Sequence, residues 1–366
     1  MAVENDVLFM KRALDLASKA LGRTSPNPVV GAVIVKDGKI VGEGYHHKAG
    51  TPHAEIHALN QAENLAKGAT MYVTLEPCSH HGRTPPCAYA LIKAGIHKVV
   101  VATLDPNPKV AGRGIKILEE AGIETVVGVL ESEAKKQNEV FFKHITTGMP
   151  FVSLKYAMTL DGKIATFTGD SRWISSEFSR NYVHKLRNIY DAVMVGINTV
   201  LKDNPMLNCR LEGEKRDPVR IIVDGGLEIP LESNIVKTAH KQKTIVLTSL
   251  SVDEQKCHLL REKGIDILKV GGESDNLDLR QAFKELLKQD ICSILVEGGS
   301  KLNSSLMEQK LVDKIYCFIA PKIVGGKGIT PVEGKGKEFM QDAYILKSPE
   351  FTPMGDDILI TAYTGW

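Results

Sequence analysis

Cysteine is scarce in this sequence: six residues in 366, too few to staple a fold of that length by disulfides. No apolar run approaches the ~18 residues of a membrane-spanning helix. The beginning, MAVENDVLFMKRALDL, contains acidic residues and no long apolar core ending in a small-residue cleavage site. Lys/Arg runs that would grip a polyanion are missing too, and the formal net charge is only +2. Together these absences predict a soluble, cytoplasmic chain with neither nucleic acid nor membrane as a partner.

What is present is ordinary globular composition, 43% hydrophobic and 25% charged, and a length that favours two domains over one core. Residues 6–21 place Ala13, Leu14, Ala17, Ala20 and Leu21 at helical spacing. VVGAVIVKDGKIVGEG reads as two strands joined at Asp37-Gly38, a pair suited to a tight hairpin. A helix opening at His53, a strand breaking at Pro77, a helix started by Pro85 and Pro86, and an alternation of strand, helix and strand follow. Residues 132–147 read as one last helix. The pattern predicts an α/β layer over residues 1–147, with TTGMPFV as the seam. A second α/β domain over 148–366 starts with FVSLKYAMTLDGKIA and ends with the strands IYCFIAPKIVGG and DILITAY. Of the cysteines, Cys78 and Cys87 bracket a polar loop. Cys209, Cys257, Cys292 and Cys317 are scattered, which suits small buried apolar residues.

The chemistry sits at HAE (53–55) and PCSHHGRTPPC (77–87). A hydrolytic deaminase needs three protein ligands to Zn²⁺, an open position for water, and a carboxylate outside the ligand set to carry protons. His53, Cys78 and Cys87 supply the ligands, and Glu55 the carboxylate. The general deaminase pattern, H-x-E followed by P-C-x-x-C, has a shorter cysteine spacing than is found here. A structural zinc site remains open, with His57, His80 or His81 as fourth ligand, although such a site has no use for Glu55. HAEIH also sets two histidines at i and i+4, but Ala54 stands where a zinc protease needs glutamate. A deaminase acting on nucleic acid such as tRNA would carry a basic surface, and it leaves the second domain unexplained. A nucleotide-binding scaffold holding zinc for structure alone is the non-enzymatic alternative.

With HAE, LEPCSHHGRTPPC and DPNPKVAGRGI noted, the sequence resembles the bifunctional deaminase–reductases of riboflavin biosynthesis, the bacterial RibD/RibG type. SPNPVVGAV, LKYAMTLDGKIAT, GDSRWIS, DNPMLNCR, VEGGS and APKIVGG extend the resemblance over nearly the whole chain, and the long cysteine spacing is normal for that family. The resemblance implies a cytidine-deaminase-like N-terminal domain followed by a dihydrofolate-reductase-like C-terminal domain. The implied reactions are removal of the 2-amino group of 2,5-diamino-6-ribosylamino-4(3H)-pyrimidinone 5′-phosphate, then reduction of the ribosyl group to ribityl by NADPH. A homodimer or homotetramer is also a family expectation. Matched by motif, Asn27, His46 and Arg83 fall where that family contacts the deaminase substrate.

In the second half no G-x-G-x-x-G stands at a strand–helix junction, so a Rossmann site is not indicated. SILVEGGSKLN instead offers a strand, two glycines and a helix start, where backbone can approach a phosphate. The resemblance makes this the NADPH phosphate loop, comprising Gly299, Ser300, Lys301, Leu302, Asn303, Ser304 and Ser305. Ala157, Trp173, Thr199, Asp203 and Gly225 match its other cofactor positions. Ser171, Arg187, Leu207, Arg210 and Glu297 match the sugar-phosphate substrate, and either guanidinium could grip phosphate with paired hydrogen bonds. Lys155 and Glu297 are expected to form the polar pair that assists hydride transfer.

Overall fold

The computed structural model describes residues 2–79, 86–107, 110–273 and 276–366. The chain divides between Met149 and Pro150 into two units, each organised on its own sheet.

In the first unit, helix α1 (Ala2–Ser18) leads into strands β1 (Gly31–Lys36) and β2 (Lys39–Tyr45). Asp37 and Gly38 between them both take positive φ, 49° and 74°, which the twist of a two-residue hairpin turn requires. Then come α2 (Ala54–Ala62), β3 (Thr70–Val73), α3 (Cys87–Ala94), β4 (Lys98–Val101), α4 (Arg113–Glu120) and β5 (Glu124–Val127). Among the described residues these strands form a sheet of order β2-β1-β3-β4-β5, with β3, β4 and β5 parallel. Both faces are covered, so the strands read as continuous apolar runs rather than alternating ones. Ala32, Ile34, Met71, Val73, Val99 and Val101 pack under Ala54, Ala58 and Leu91. The intervening Val33, Val35, Tyr72 and Val100 meet Met10, Ala13 and Leu16 of α1.

The expected single helix over 132–147 is two, α5 (Glu131–Gln137) and α6 (Glu139–Thr147). The break is at Asn138, whose φ and ψ are −106° and 21°. Its buried side-chain amide accepts from Val29 N and donates to Val29 O, both at 2.9 Å. Satisfying that segment's backbone takes precedence over helix continuity.

The second unit contains β6 (Phe151–Thr159), α7 (Glu177–Ile189), β7 (Ala192–Gly196), α8 (Ile197–Asp203), β8 (Val219–Val223), α9 (Asn234–Lys237) and β9 (Thr244–Ser249). It continues with α10 (Glu254–Glu262), β10 (Ile265–Val270), the two-residue strands β11 (Gly272–Glu273) and β12 (Asn276–Leu277), and α11 (Leu279–Leu287). Finally come β13 (Ser293–Val296), α12 (Ser300–Glu308), β14 (Lys314–Ala320), β15 (Leu346–Met354) and β16 (Asp357–Thr364). The main sheet has the order β10-β9-β8-β7-β13-β6-β14-β16-β15. It is parallel from β10 to β14, and β16 and β15 join by antiparallel pairing. Cys209, Cys257, Cys292 and Cys317 are all buried free thiols, as expected of them.

Candidate active sites of the two units

Helix α2 carries two of the deaminase residues, and its placement depends on glycine. A Cβ at Gly42 would lie 2.2 Å from Ala58 O, and one at Gly44 2.4 Å from Ala54 O, so β2 accepts the helix only without side chains there. His53 occupies the N-cap position. Its Nδ1 is 3.2 Å from Cys87 Sγ and 3.5 Å from Cys78 Sγ, and the three ligand atoms all lie within 4.8 Å of one another. Ligands on a tetrahedral Zn²⁺ with ordinary Zn–N and Zn–S bonds stand ~3.6 Å apart, so one nitrogen and two thiols at these separations fit that ion. Cys87 opens α3, and its backbone N–H donates to Cys78 Sγ at 3.2 Å, a helix-start interaction that favours thiolate. The Cys78 thiol is lowered to about 4, chiefly by hydrogen bonding from Cys87 and then from His53, against the opposing effect of burial. The Cys87 thiol is pushed up by the same shared hydrogen bond. Glu55, in the first turn of α2 and 3% exposed, has its carboxyl pushed up by burial and then by the Cys78 thiolate. It therefore holds a proton more readily than a surface glutamate does.

His46 is buried, with its ring edge-on to His53 at 5.5 Å between centroids. Its Nδ1 lies 3.2 Å from Pro52 O and its Nε2 3.2 Å from Asn27 Nδ2. Those partners assign a neutral ring, donating from Nδ1 and accepting at Nε2, and burial lowers its pKa accordingly. Asn27, His46 and His53 thus converge. Arg83, His80 and His81 lie outside the described residues.

In the second unit the matched positions gather where the parallel strands end. Thr199 and Asp203 on α8 follow β7, Gly225 follows β8, and the 299–305 segment follows β13. Ligands of open α/β sheets bind outside the carboxyl ends of the strands. The Thr199 hydroxyl abuts Gly298, 3.2 Å from where a Cβ would stand. Gly225 O accepts from Thr248 Oγ1 and from Ser249 N, both at 3.1 Å. Asp203 pairs with Arg172 at 3.6 Å, next to the exposed Trp173, whose ring is covered by Arg180 at 4.5 Å. Leu207 is buried with φ 53°, while Ser171 is half-buried and Arg210 exposed.

Lys155 and Ala157 share one face of β6, and the Lys155 ammonium lies over the Phe318 ring at 5.7 Å. Glu297 follows β13 and takes a two-pronged pair from Arg187, 2.5 Å from Nε and 2.8 Å from Nη2, while Arg187 Nη1 donates to Asn208 O at 2.9 Å. Burial alone would raise the Glu297 carboxyl, but Arg187, helped by Lys155 and His184, holds it below the usual range. Desolvation lowers the Lys155 ammonium, with Glu297 opposing and Arg187 reinforcing the shift.

Sequence reasoning missed two residues here. His184, one turn before Arg187 on α7, is buried and accepts from Arg210 N at 3.3 Å. Burial and then Arg187 and Arg210 lower it to about 4, so it is a neutral acceptor that ties Arg210 to the helix. Its i, i+3 spacing from Arg187 was the available signal. Glu76, in the first unit, is the second.

The first unit is therefore a zinc-type deaminase sheet, joined in one chain to an α/β unit with a polar site at its strand ends. Two family models match these halves: "Cytidine and deoxycytidylate deaminase zinc-binding region" over residues 3–103 and "RibD C-terminal domain" over residues 150–359. Riboflavin biosynthesis protein RibD of Actinobacillus pleuropneumoniae is 48% identical over 356 residues, covering 97% of this chain and 94% of that one. The solved structure of Acinetobacter baumannii RibD, form 1, is 38% identical with a TM-score of 0.89, covering both chains in full. That of a diaminohydroxyphosphoribosylaminopyrimidine deaminase/5-amino-6-(5-phosphoribosylamino)uracil reductase from Thermotoga maritima is 40% identical with a TM-score of 0.86, again over both whole chains. The chain belongs to the RibD family of riboflavin biosynthesis proteins. No helix among the described residues is long and apolar enough to cross a membrane.

Proposed function

We propose that residues 1–147 deaminate 2,5-diamino-6-ribosylamino-4(3H)-pyrimidinone 5′-phosphate and that residues 148–366 reduce the product's ribosyl group to ribityl with NADPH. The observation that carries the first half is the convergence of His53, Cys78 and Cys87 beside a buried carboxyl. Those three side chains would hold Zn²⁺, and the chemistry it would supply when bound is a water acidified to a pKa of ~7. Glu55 moves the protons: a carboxyl raised by burial can take one from the attacking water and return it to the departing ammonia. Asn27 and His46 hold the pyrimidine, and Arg83 adds a further contact.

In the reductase half, the 299–305 segment at the start of α12 takes the cofactor phosphates, with Ala157, Trp173, Thr199, Asp203 and Gly225 as further contacts. NADPH held there would supply a hydride to C1′ of the opened ribose, and a proton must balance it. Glu297 is kept ionised by Arg187, so Lys155, whose ammonium is made more acidic by desolvation, is the member of the pair with a proton to give. Ser171, Leu207 and Arg210 complete the substrate contacts. The β15 edge, exposed along its length with Phe351 on it and Ile358 exposed on the neighbouring β16, supports a homo-oligomer, and unpaired thiols suit the cytoplasm.

The test is ammonia release from the ribotide, with NADPH added second. Glu55→Gln should retain zinc and deaminate 10²–10⁴-fold more slowly, the range for a lost general acid–base group. Chelation of zinc should stop deamination while leaving reduction of supplied deaminated ribotide intact. Undiminished ammonia release by zinc-loaded Glu55→Gln would make the metal site structural.

A further inference from the structure

Glu76 stands two residues before the metal-ligating Cys78, and it is 4% exposed. A carboxylate so buried needs partners; two of its three come from the connection between β4 and α4, and the third from the first turn of α4. Oε2 accepts from Asp105 N at 3.1 Å and from Gly112 N at 2.9 Å, and Oε1 accepts from Gly114 N at 2.8 Å. The Glu76 backbone N–H also donates to Thr103 O at 3.0 Å, continuing the β3–β4 pairing past the end of the sheet. Gly114 lets α4 seat directly on the metal-bearing segment, since a Cβ there would lie 2.0 Å from Pro77 O and 3.2 Å from Glu76 Oε1. The Asp105 carboxylate in turn accepts from Asn107 N at 2.8 Å, so the near side of the connection is shaped by a residue Glu76 holds.

These contacts join the carboxyl ends of two neighbouring parallel strands, one leading to Cys78 and the other to a loop that opens at Leu104. Ligands of parallel sheets occupy that edge. We propose that Glu76 is a positioning residue of the deaminase, pinning Asp105 on one side and Gly112 and Gly114 on the other in register with Cys78, so that residues 105–107 form one wall of the pyrimidine site. This rests on the deaminase reading above. A carboxylate is required because both of its oxygens face N–H donors. An amide in its place must turn its own NH₂ toward at least one of them, leaving a buried donor unpaired.

The experiment compares wild type with Glu76→Gln on the diaminopyrimidinone ribotide, reading KM and kcat separately, with bound zinc measured on the same samples. The expected result is a KM raised ten-fold or more, kcat reduced less than KM is raised, zinc at one per chain, and reduction of supplied deaminated ribotide unchanged. A merely structural role would lower the active fraction and hence apparent kcat, leaving KM within two-fold of wild type, and that result overturns the proposal. If Glu76→Gln proves poorly folded, hydrogen exchange on wild type decides. Protection of the Asp105, Gly112 and Gly114 amides should rise when a substrate analogue binds, whereas unchanged protection overturns the role. A wild type that releases no ammonia would instead sink the deaminase reading itself.

Discussion

The Arg187–Glu297 pair lends itself to a quantitative test, because its two side chains are only 12% and 7% exposed. Removing one member of a buried pair strands the other charge, at a cost of roughly 3–5 kcal/mol. Glu297→Gln should fall near the lower end, about 3 kcal/mol, because the amide oxygen still accepts from one of the two guanidinium donors. Arg187→Met should be comparable, since it strands the carboxylate. The double variant carries neither charge, so its loss should fall short of the sum by about 2 kcal/mol, well outside the ~0.5 kcal/mol expected of independent sites. Both tryptophans, Trp173 and Trp366, lie in the second unit, so indole fluorescence during urea unfolding follows that unit alone. With a slope of ~3 kcal/mol/M, each single variant should shift the midpoint by about 1 M. The pH dependence has a definite sign. Glu297 is lowered in the folded state, so its contribution is complete above the unfolded carboxyl value of ~4.3 and is lost as pH falls through the folded value. The gap between wild type and Glu297→Gln should be flat from neutral to about pH 5 and shrink in stronger acid. Additive single effects, or a gap that widens in acid, would refute the argument.

Arg220 is fully buried, and burial lowers it to about 10 against the opposing charge of Asp217. Its donors go to Thr238 and Thr244 hydroxyls and to the Met206, Ile235 and Gln242 carbonyls. Arg220→Met should therefore destabilise the second unit by about 2–4 kcal/mol. Thermal inactivation of both activities in one sample should show reductase lost at lower temperature than in wild type and deaminase unchanged; an unchanged reductase profile would contradict this. Lys155→Ala should slow reduction 10²–10⁴-fold and abolish the alkaline fall of the kcat–pH profile. In wild type that fall should begin below the ordinary lysine value of ~10.4, because desolvation lowers this ammonium. Retention of full rate, or of the alkaline fall, would remove Lys155 from the proton-donor role.

What could be read from the sequence divides along a physical line. Zinc hydrolysis requires particular atoms in a particular order, so His53, Glu55, Cys78 and Cys87 were visible from residue type and spacing, and the Asp37-Gly38 hairpin from local backbone preference. Features set by distant partners were not visible. Strand β15 carries no alternation because all of its residues except Met354 are exposed. Helix α10 buries only Cys257 and Leu260, too thin a stripe to reveal it. The break at Asn138 depends on Val29, and Glu76 reads as one more acidic residue until three amides are found around it. Arg187 shows what this does to a functional reading. The family resemblance matched Arg187 to the sugar-phosphate substrate, and residue type made a phosphate grip chemically sensible; in the fold its fork meets Glu297 and Asn208 O, residues far from it in sequence. Its charge is spent keeping Glu297 ionised. That leaves the exposed Arg210, whose backbone His184 fixes, as the cation better placed to meet a phosphate. A guanidinium's function thus follows from which acceptors the fold has already brought to it.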